Sequence, residues 1–129
     1  MQALMVSGDR SGSGKTSITL AIAALLSKRM TVQTYKVGMD YIDPSYLSGV
    51  TGRPCRNLDS FVMNADEIHQ IFTHGSRGAE LAIVEGVRGL YEGSEALGDS
   101  GSSASIAKYL GLPVVLVVSA RSVTRSAAA

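Results

Sequence analysis

Residues 8 to 16 read GDRSGSGKT, between an apolar run, ALMV at 3 to 6, and a stretch of helical periodicity that begins at Thr16. A strand that enters a glycine-rich turn and leaves as a helix turns backbone N–H groups and the positive helix end toward an anion. Lys15 then reaches terminal phosphates, and the Thr16 hydroxyl is available to Mg²⁺. The full pattern G-x-x-x-x-G-K-[ST] requires glycine at position 9, which here is Asp9; the glycine is Gly8, one residue earlier. A Gly/Ser turn that merely precedes a helix is the bland alternative, and the strand-to-helix context of GSGKT argues for ATP binding instead. The ATP-binding set is Gly8, Ser11, Gly12, Ser13, Gly14, Lys15, Thr16 and Ser17. Arg10 is either a phosphate or partner contact or a solvated surface charge.

Outward from this loop, Ile18, Ala21, Ile22, Leu25 and Leu26 recur at helical spacing over 16 to 29, with Lys28 and Arg29 placed to favour a helix C-terminus. Three further apolar runs follow, at 32 to 37, 80 to 85 and 113 to 120. They are continuous rather than alternating, as parallel strands covered on both faces are. A second helix starts at Asn64, which caps it with Glu67 and presents Ile68, Ile71 and Phe72. A third runs from Ser103 to Leu110 and ends at Gly111 and Pro113. The alternation predicts a doubly wound, mostly parallel α/β sheet of four strands. Two stretches, 38 to 63 and 86 to 102, read as long functional loops at the carboxyl ends of strands, where ligands bind in open α/β folds. Arg121 to Ala129 reads as the opening of another helix with nothing to lead into, so the sequence predicts a truncated domain.

The chain has 129 residues, a net charge of +1 from 12 Lys and Arg against 11 Asp and Glu, and 45% apolar residues. This fits one small globular domain and argues against nucleic-acid or membrane-surface binding, which require a broad basic footprint. The single cysteine, Cys55, forms no internal disulfide and reads as a small packed side chain; His69 and His74 read as surface residues. No run approaches 18 apolar residues and no leader is evident, so the expectation is a cytoplasmic protein.

The second strand runs into YKVGMDYIDPSYL at 35 to 47. Lys36 projects toward the nucleotide, and Asp40 and Asp43 supply the hard oxygen ligands that Mg²⁺ accepts. For Asp43 a plain turn-initiating role before Pro44 stands equally open. Glu85 ends the buried run LAIVE, the place where phosphate-loop proteins carry a metal-directed acid. Thr16, Asp40 and Glu85 form the candidate metal set. Ser102 and Ser103 begin a helix, where one of them caps and the helix end is open to a carboxylate or phosphate.

The segments GDRSGSGKTS, YKVGMDYIDP, GRPCRNLDSF, EGVRGLYEG, GSSASIAKYLGLPVVLVVSARS and the closing RSAAA together resemble the cobyrinate a,c-diamide synthase family. Similar motifs occur in its relative, the nickel-sirohydrochlorin a,c-diamide synthase of methanogenic archaea. The resemblance implies a P-loop NTPase fold of the dethiobiotin synthetase-like kind, with ATP and Mg²⁺ as cofactors. It implies amidation of two side-chain carboxylates of a tetrapyrrole, each activated by ATP as an acyl phosphate from which ammonia displaces phosphate. Lys36, Asp40 and Glu85 are then catalytic, and Tyr41, Ile42, Asp43, Glu92, Ser102 and Ser103 lie on the substrate side. Met39 and Glu92 depart from the commoner proline and aspartate and tilt the resemblance toward the methanogen branch.

Members of that family continue into a glutaminase domain that releases ammonia from glutamine. Residues 1–129 are therefore expected to be the N-terminal part of the synthetase domain, with a homodimer compatible with the pattern. Two other P-loop readings compete: a dethiobiotin synthetase-like carboxylase, against which DYIDP and GRPCRNLD speak, and a ParA-like ATPase switch. An inert fragment is the third alternative.

Overall fold

In the computed structural model, which describes residues 1–128, the order is β1 (Gln2–Gly8), α1 (Lys15–Leu26), β2 (Val32–Val37), α2 (Ile42–Thr51), β3 (Arg56–Leu58), α3 (Ala65–Gly75), β4 (Leu81–Gly89), α4 (Ser103–Leu110) and β5 (Val114–Val117). The strands form one all-parallel sheet in the order β3-β2-β4-β1-β5. The chain winds from β1 toward β3, returns to place β4 beside β1, and crosses to the opposite edge with β5. Such a reversal opens a crevice at the carboxyl ends of the strands.

Each face of the sheet has its own core, because successive strand residues point to opposite sides. Val6, Val32, Leu81 and Ile83 pack with Ala23, Ile22 and Leu26 of α1. Met5, Tyr35, Val37, Leu58 and Val84 pack with Ile68 of α3 and Ile106 of α4. Register then decides what reaches the site. Lys36 pairs with Glu85 across β2 and β4, Val6 pairs with Glu85 across β1 and β4, and Asn57 pairs with Lys36 across β3 and β2. One row across the sheet thus carries Asn57, Lys36, Glu85 and Val6 on the face that α1 covers.

The doubly wound α/β class and the capping of two helices agree with the sequence reading. Asn64 and Glu67 form a reciprocal capping box on α3, Ser102 caps α4, and Gly111 ends it in the left-handed conformation. Several details differ. The stretch 38 to 63 is not one loop, since it contains α2 and the edge strand β3, and the sheet has five strands rather than four. α2 buries only Pro44 and Leu47, and Pro44 in its first turn costs the helix no internal hydrogen bond. β3 is held less by apolar burial than by polar bonds near it: Arg53 donates from Nε to Gln33 Oε1 at 2.8 Å and from Nη2 to the carbonyls of Gly75 and Arg77 at 3.1 and 2.8 Å.

The remaining differences lie at element ends. β4 continues to Gly89, four residues into the stretch read as a loop, and β5 is shorter than 113 to 120. Lys28 and Arg29 follow α1 rather than closing it. The last described turn is a short 3-10 helix, Arg125–Ala128, and the final residue of the expected helix, Ala129, lies outside the described residues. β5 is exposed for a strand of this sheet, with Leu116 49% accessible. Among the described residues, no helix is long and apolar enough to cross a membrane.

Candidate active site

The turn after β1 explains why its glycine stands at position 8. A Cβ on Gly8 would come within 2.2 Å of Ser13 Oγ and 3.1 Å of the Arg10 carbonyl. Gly12 and Gly14 hold the left-handed conformation, with φ of 75° and 94°, that lets the loop curl back before α1. Asp9 anchors the loop to the far side of the sheet: its N–H donates to the Val117 carbonyl at 3.1 Å and its Oδ1 accepts from the Ser119 N–H at 3.3 Å. Arg10 pairs with Asp9 at 2.8 Å on the exposed side.

Lys15 opens α1 and is buried, and burial, with the nearby Lys36 ammonium, pushes its ammonium below the usual lysine range. Thr16 donates its hydroxyl to Glu85 Oε1 at 2.5 Å and lies 3.4 Å from Asp43 Oδ2. Lys36, only 3% exposed, bonds Asp43 Oδ2 at 3.0 Å, Glu85 Oε1 at 3.3 Å and the Gly86 carbonyl at 3.1 Å. Residues from the start of α1, from β2 and β4, and from the start of α2 therefore converge on one polar cluster at the carboxyl end of the sheet. Glu85 is fully buried, and burial pushes its carboxyl above the usual range despite Lys36 and Thr16. Burial acts most strongly on Asp43 and would raise it, but Lys36, together with hydrogen bonds to Asp40 and Thr16, outweighs burial and holds that carboxyl below its ordinary value.

Glu85 Oε2 is buried without a hydrogen-bond partner. A buried carboxylate oxygen left unpaired is costly unless something else takes it up. Together with the Thr16 hydroxyl and Asp43 it forms a hard-oxygen donor set of the kind Mg²⁺ accepts when a nucleotide supplies phosphate oxygens as well. Among the described residues, no group of three or more His, Cys, Asp and Glu could hold a metal alone.

The other sequence candidates fall in different places. Asp40 does not contact Lys36; its Oδ1 accepts the Ile42 N–H at 2.8 Å and so shapes the start of α2. Asp43 occupies the place beside Lys36. Tyr41 and Ile42 lie at the rim, with Tyr41 75% exposed. Glu92 is exposed, accepts the Gly89 N–H at 3.3 Å, and lines a cleft of about 290 Å³ with Asp9, Gly89, Leu90, Tyr91 and Leu116. Ser102 and Ser103 are fully buried. Ser102 Oγ accepts the Ser105 N–H, the Ala104 N–H goes to the Leu90 carbonyl at 2.9 Å, and Ser103 Oγ accepts the Val87 N–H at 2.9 Å. The start of α4 is thus engaged by the protein itself, and Gly86 lets it pack closely: a Cβ there would lie 2.6 Å from Ser7 Oγ and 2.9 Å from Ser103 Oγ.

Cys55 is half-buried, and burial pushes its thiol up to about 11. At pH 8 only about one molecule in a thousand then carries a thiolate, far below a free cysteine. Cys55 of the folded protein is expected to react with an aromatic disulfide reagent at least tenfold slower than in denaturant at pH 8. Equal rates would show an accessible, ordinary thiol. His69 and His74 are exposed on α3, away from the cluster.

No family model matches the chain. The cobyrinate a,c-diamide synthase of Methanosarcina acetivorans is 55% identical over 130 residues, 98% of this chain and 26% of its own length. That of Methanosarcina barkeri is 53% identical with the same coverage. That of Methanocaldococcus jannaschii is 50% identical over all of this chain and 29% of its own length. Along its whole length the chain is homologous to proteins of that name, in agreement with the resemblance carried by its motifs, and it spans 26–29% of their length.

Proposed function

We propose that this chain forms the nucleotide-binding and carboxylate-activating part of a glutamine-dependent ligase that amidates the a and c side-chain carboxylates of a tetrapyrrole, nickel-sirohydrochlorin or cobyrinic acid. The observation that carries the proposal is the cluster in which Lys36 sits between Asp43 and Glu85, with Thr16 against Glu85. A carboxylate is a poor electrophile, and transfer of a phosphoryl group to it needs positioning and charge neutralisation more than a protein nucleophile. The loop amides and Lys15 bind the ATP phosphates. Thr16 and Glu85, with Asp43 in the first turn of α2 and Asp40 before it, would hold Mg²⁺, which when bound would neutralise phosphate charge.

Lys36 faces the transferring phosphoryl group and offsets the negative charge shared between it and the acceptor. An acceptor oxygen attacks the γ-phosphorus, the bond to ADP breaks, and an acyl phosphate forms. Ammonia then attacks the acyl carbon, the bond to the phosphate oxygen breaks, and the proton lost by the nitrogen passes to the departing inorganic phosphate; each amide consumes one ATP. In this reading a glutaminase domain outside these residues supplies the ammonia. Tyr41, Ile42 and Glu92 at the rim face the tetrapyrrole.

The test is ADP formation from MgATP and ammonium, with and without each tetrapyrrole, by this chain and by the complete gene product. Tetrapyrrole-dependent ADP and amide are expected. Hydrolysis indifferent to any tetrapyrrole would overturn the substrate assignment and favour an ATPase switch. In the same assay Lys15→Ala is expected to weaken ATP binding by about 1.5 to 3 kcal/mol, the worth of a charge-assisted hydrogen bond. Unchanged affinity would remove Lys15 from the phosphate site.

A further inference from the structure

The motif residues NLD at 57 to 59 have no role in the chemistry above, yet the first of them lies in the same row of the sheet as Lys36 and Glu85. Asn57 is the middle residue of the three-residue strand β3. Its Nδ2 donates both hydrogens to the turn that follows β2, one to the Gly38 carbonyl at 2.7 Å and one to the Asp40 carbonyl at 2.8 Å. Next to it, the Leu58 carbonyl accepts the Gly38 N–H at 2.8 Å. Gly38 turns the chain with φ of 88°, and Asp40 Oδ1 then takes the Ile42 N–H.

These four bonds fix the path from Lys36 to the first turn of α2. That helix has no side-chain cap bond from its own N-cap residue, Tyr41, so its entry is set by the turn before it. Asp43 sits in that first turn and meets Lys36 at 3.0 Å.

We infer that Asn57 is a positioning residue for the active-site cluster: by clamping the carbonyls of Gly38 and Asp40 it holds Asp43 in register with Lys36 and Glu85. The inference rests on the reading of that cluster as the phosphoryl-transfer site. Asn57 touches no reacting group, so its effect falls on turnover. The phosphate loop belongs to β1 and α1 and makes no hydrogen bond to Asn57, so nucleotide affinity stays the same. Removal of an outer partner that orients reacting groups typically lowers activity about 10- to 100-fold.

The experiment uses the complete gene product with Asn57→Ala, and with Asn57→Ser as a milder variant in case the first folds poorly. Three quantities are measured: kcat for ADP formation, Kd for MgATP, and hydrogen exchange of the peptide that contains residues 38 to 44. The expected result is a kcat about 10- to 100-fold lower, a Kd within about twofold, and faster exchange at Tyr41 and Ile42 with the thermal midpoint of the rest little changed. Faster exchange with an unchanged kcat would overturn the inference and leave Asn57 with a structural role only. A kcat and Kd that worsen together would also overturn it. Where the wild-type protein shows no tetrapyrrole-dependent ADP at all, it is the diamide synthase reading that falls. The Asn57 comparison is then made on MgATP hydrolysis, which needs no acceptor, and the same outcomes decide it.

Discussion

Glu85→Gln is expected to lower turnover by about 10² to 10³, the usual loss when one preorganised charged group is taken from a reacting centre. Its effect on MgATP affinity should be much smaller. Glu85 is fully buried in the middle of the central strand β4, receives the Thr16 hydroxyl and the Lys36 ammonium on one oxygen, and leaves the other oxygen unpartnered. Glutamine keeps the shape and removes the charge, so a metal held there loses its strongest ligand while the loop amides and Lys15 still hold phosphate. The half-saturating Mg²⁺ concentration should rise with the fall in kcat. Equal losses in kcat and in nucleotide binding would mean that Glu85 merely supports the loop.

The same substitution has an opposite signature in stability. Burial raises the Glu85 carboxyl above its unfolded value, so the ionised form is penalised in the folded state. That penalty is absent below the unfolded pKa and grows as pH rises through the folded one. In metal-free buffer, Glu85→Gln should therefore gain stability relative to wild type as pH increases from 4 to 8. A melting difference independent of pH would show that the carboxyl titrates normally.

The parts of this architecture that announce themselves in sequence are those with one physical signature each. Strands buried on both faces show continuous apolar runs, and the loop between β1 and α1 shows glycines where the backbone must curl. α3 shows Asn64 and Glu67 at the spacing of a reciprocal cap, which the structure contains. α2 and β3 had no such signature. α2 buries two residues among Ser45, Ser48 and Gly49, which are weak helix formers, and β3 has a polar centre at Asn57. Their existence depends on what the rest of the chain offers them, such as the Gly38 and Asp40 carbonyls to Asn57 and the Gly75 carbonyl to Arg53.

The site was legible in the same uneven way. Lys15, Thr16, Lys36 and Glu85 follow from strand ends and loop spacing, and the structure brings them together. Which of Asp40 and Asp43 meets Lys36 depends on the helical phase of an element invisible in the sequence pattern. With α2 starting at Ile42, Asp43 turns to Lys36 and Asp40 binds the backbone. Ser102 and Ser103 carried the signature of a helix start, and in the structure their hydroxyls bond within the protein.

Lys36→Met is expected to destabilise the metal-free protein by about 3 to 5 kcal/mol at neutral pH, the typical cost of leaving a buried charge without its partner. Methionine fills a similar volume, so packing on β2 is nearly preserved and the loss is electrostatic. Lys36 is the cation within salt-bridge reach of both Asp43 and Glu85. Without it Glu85 keeps a hydroxyl donor from Thr16 and the more distant Lys15, but no cation within salt-bridge reach. The penalty should shrink as pH falls, because protonation of Glu85 neutralises the unpaired charge. It should largely vanish in the double variant Lys36→Met with Glu85→Gln, in which neither ion remains. A double-mutant cycle then returns a coupling of several kcal/mol, measured by urea unfolding in EDTA without nucleotide, whereas independent sites would add. Turnover should stay abolished in the double variant, because a cluster made stable by removing its charges can no longer offset the charge of a transferring phosphoryl group. A Lys36→Met protein as stable as wild type at pH 7.5 would mean that Glu85 is neutral in the folded state before any ligand arrives. Lys36 would then act on the nucleotide alone rather than on the carboxylates that surround it.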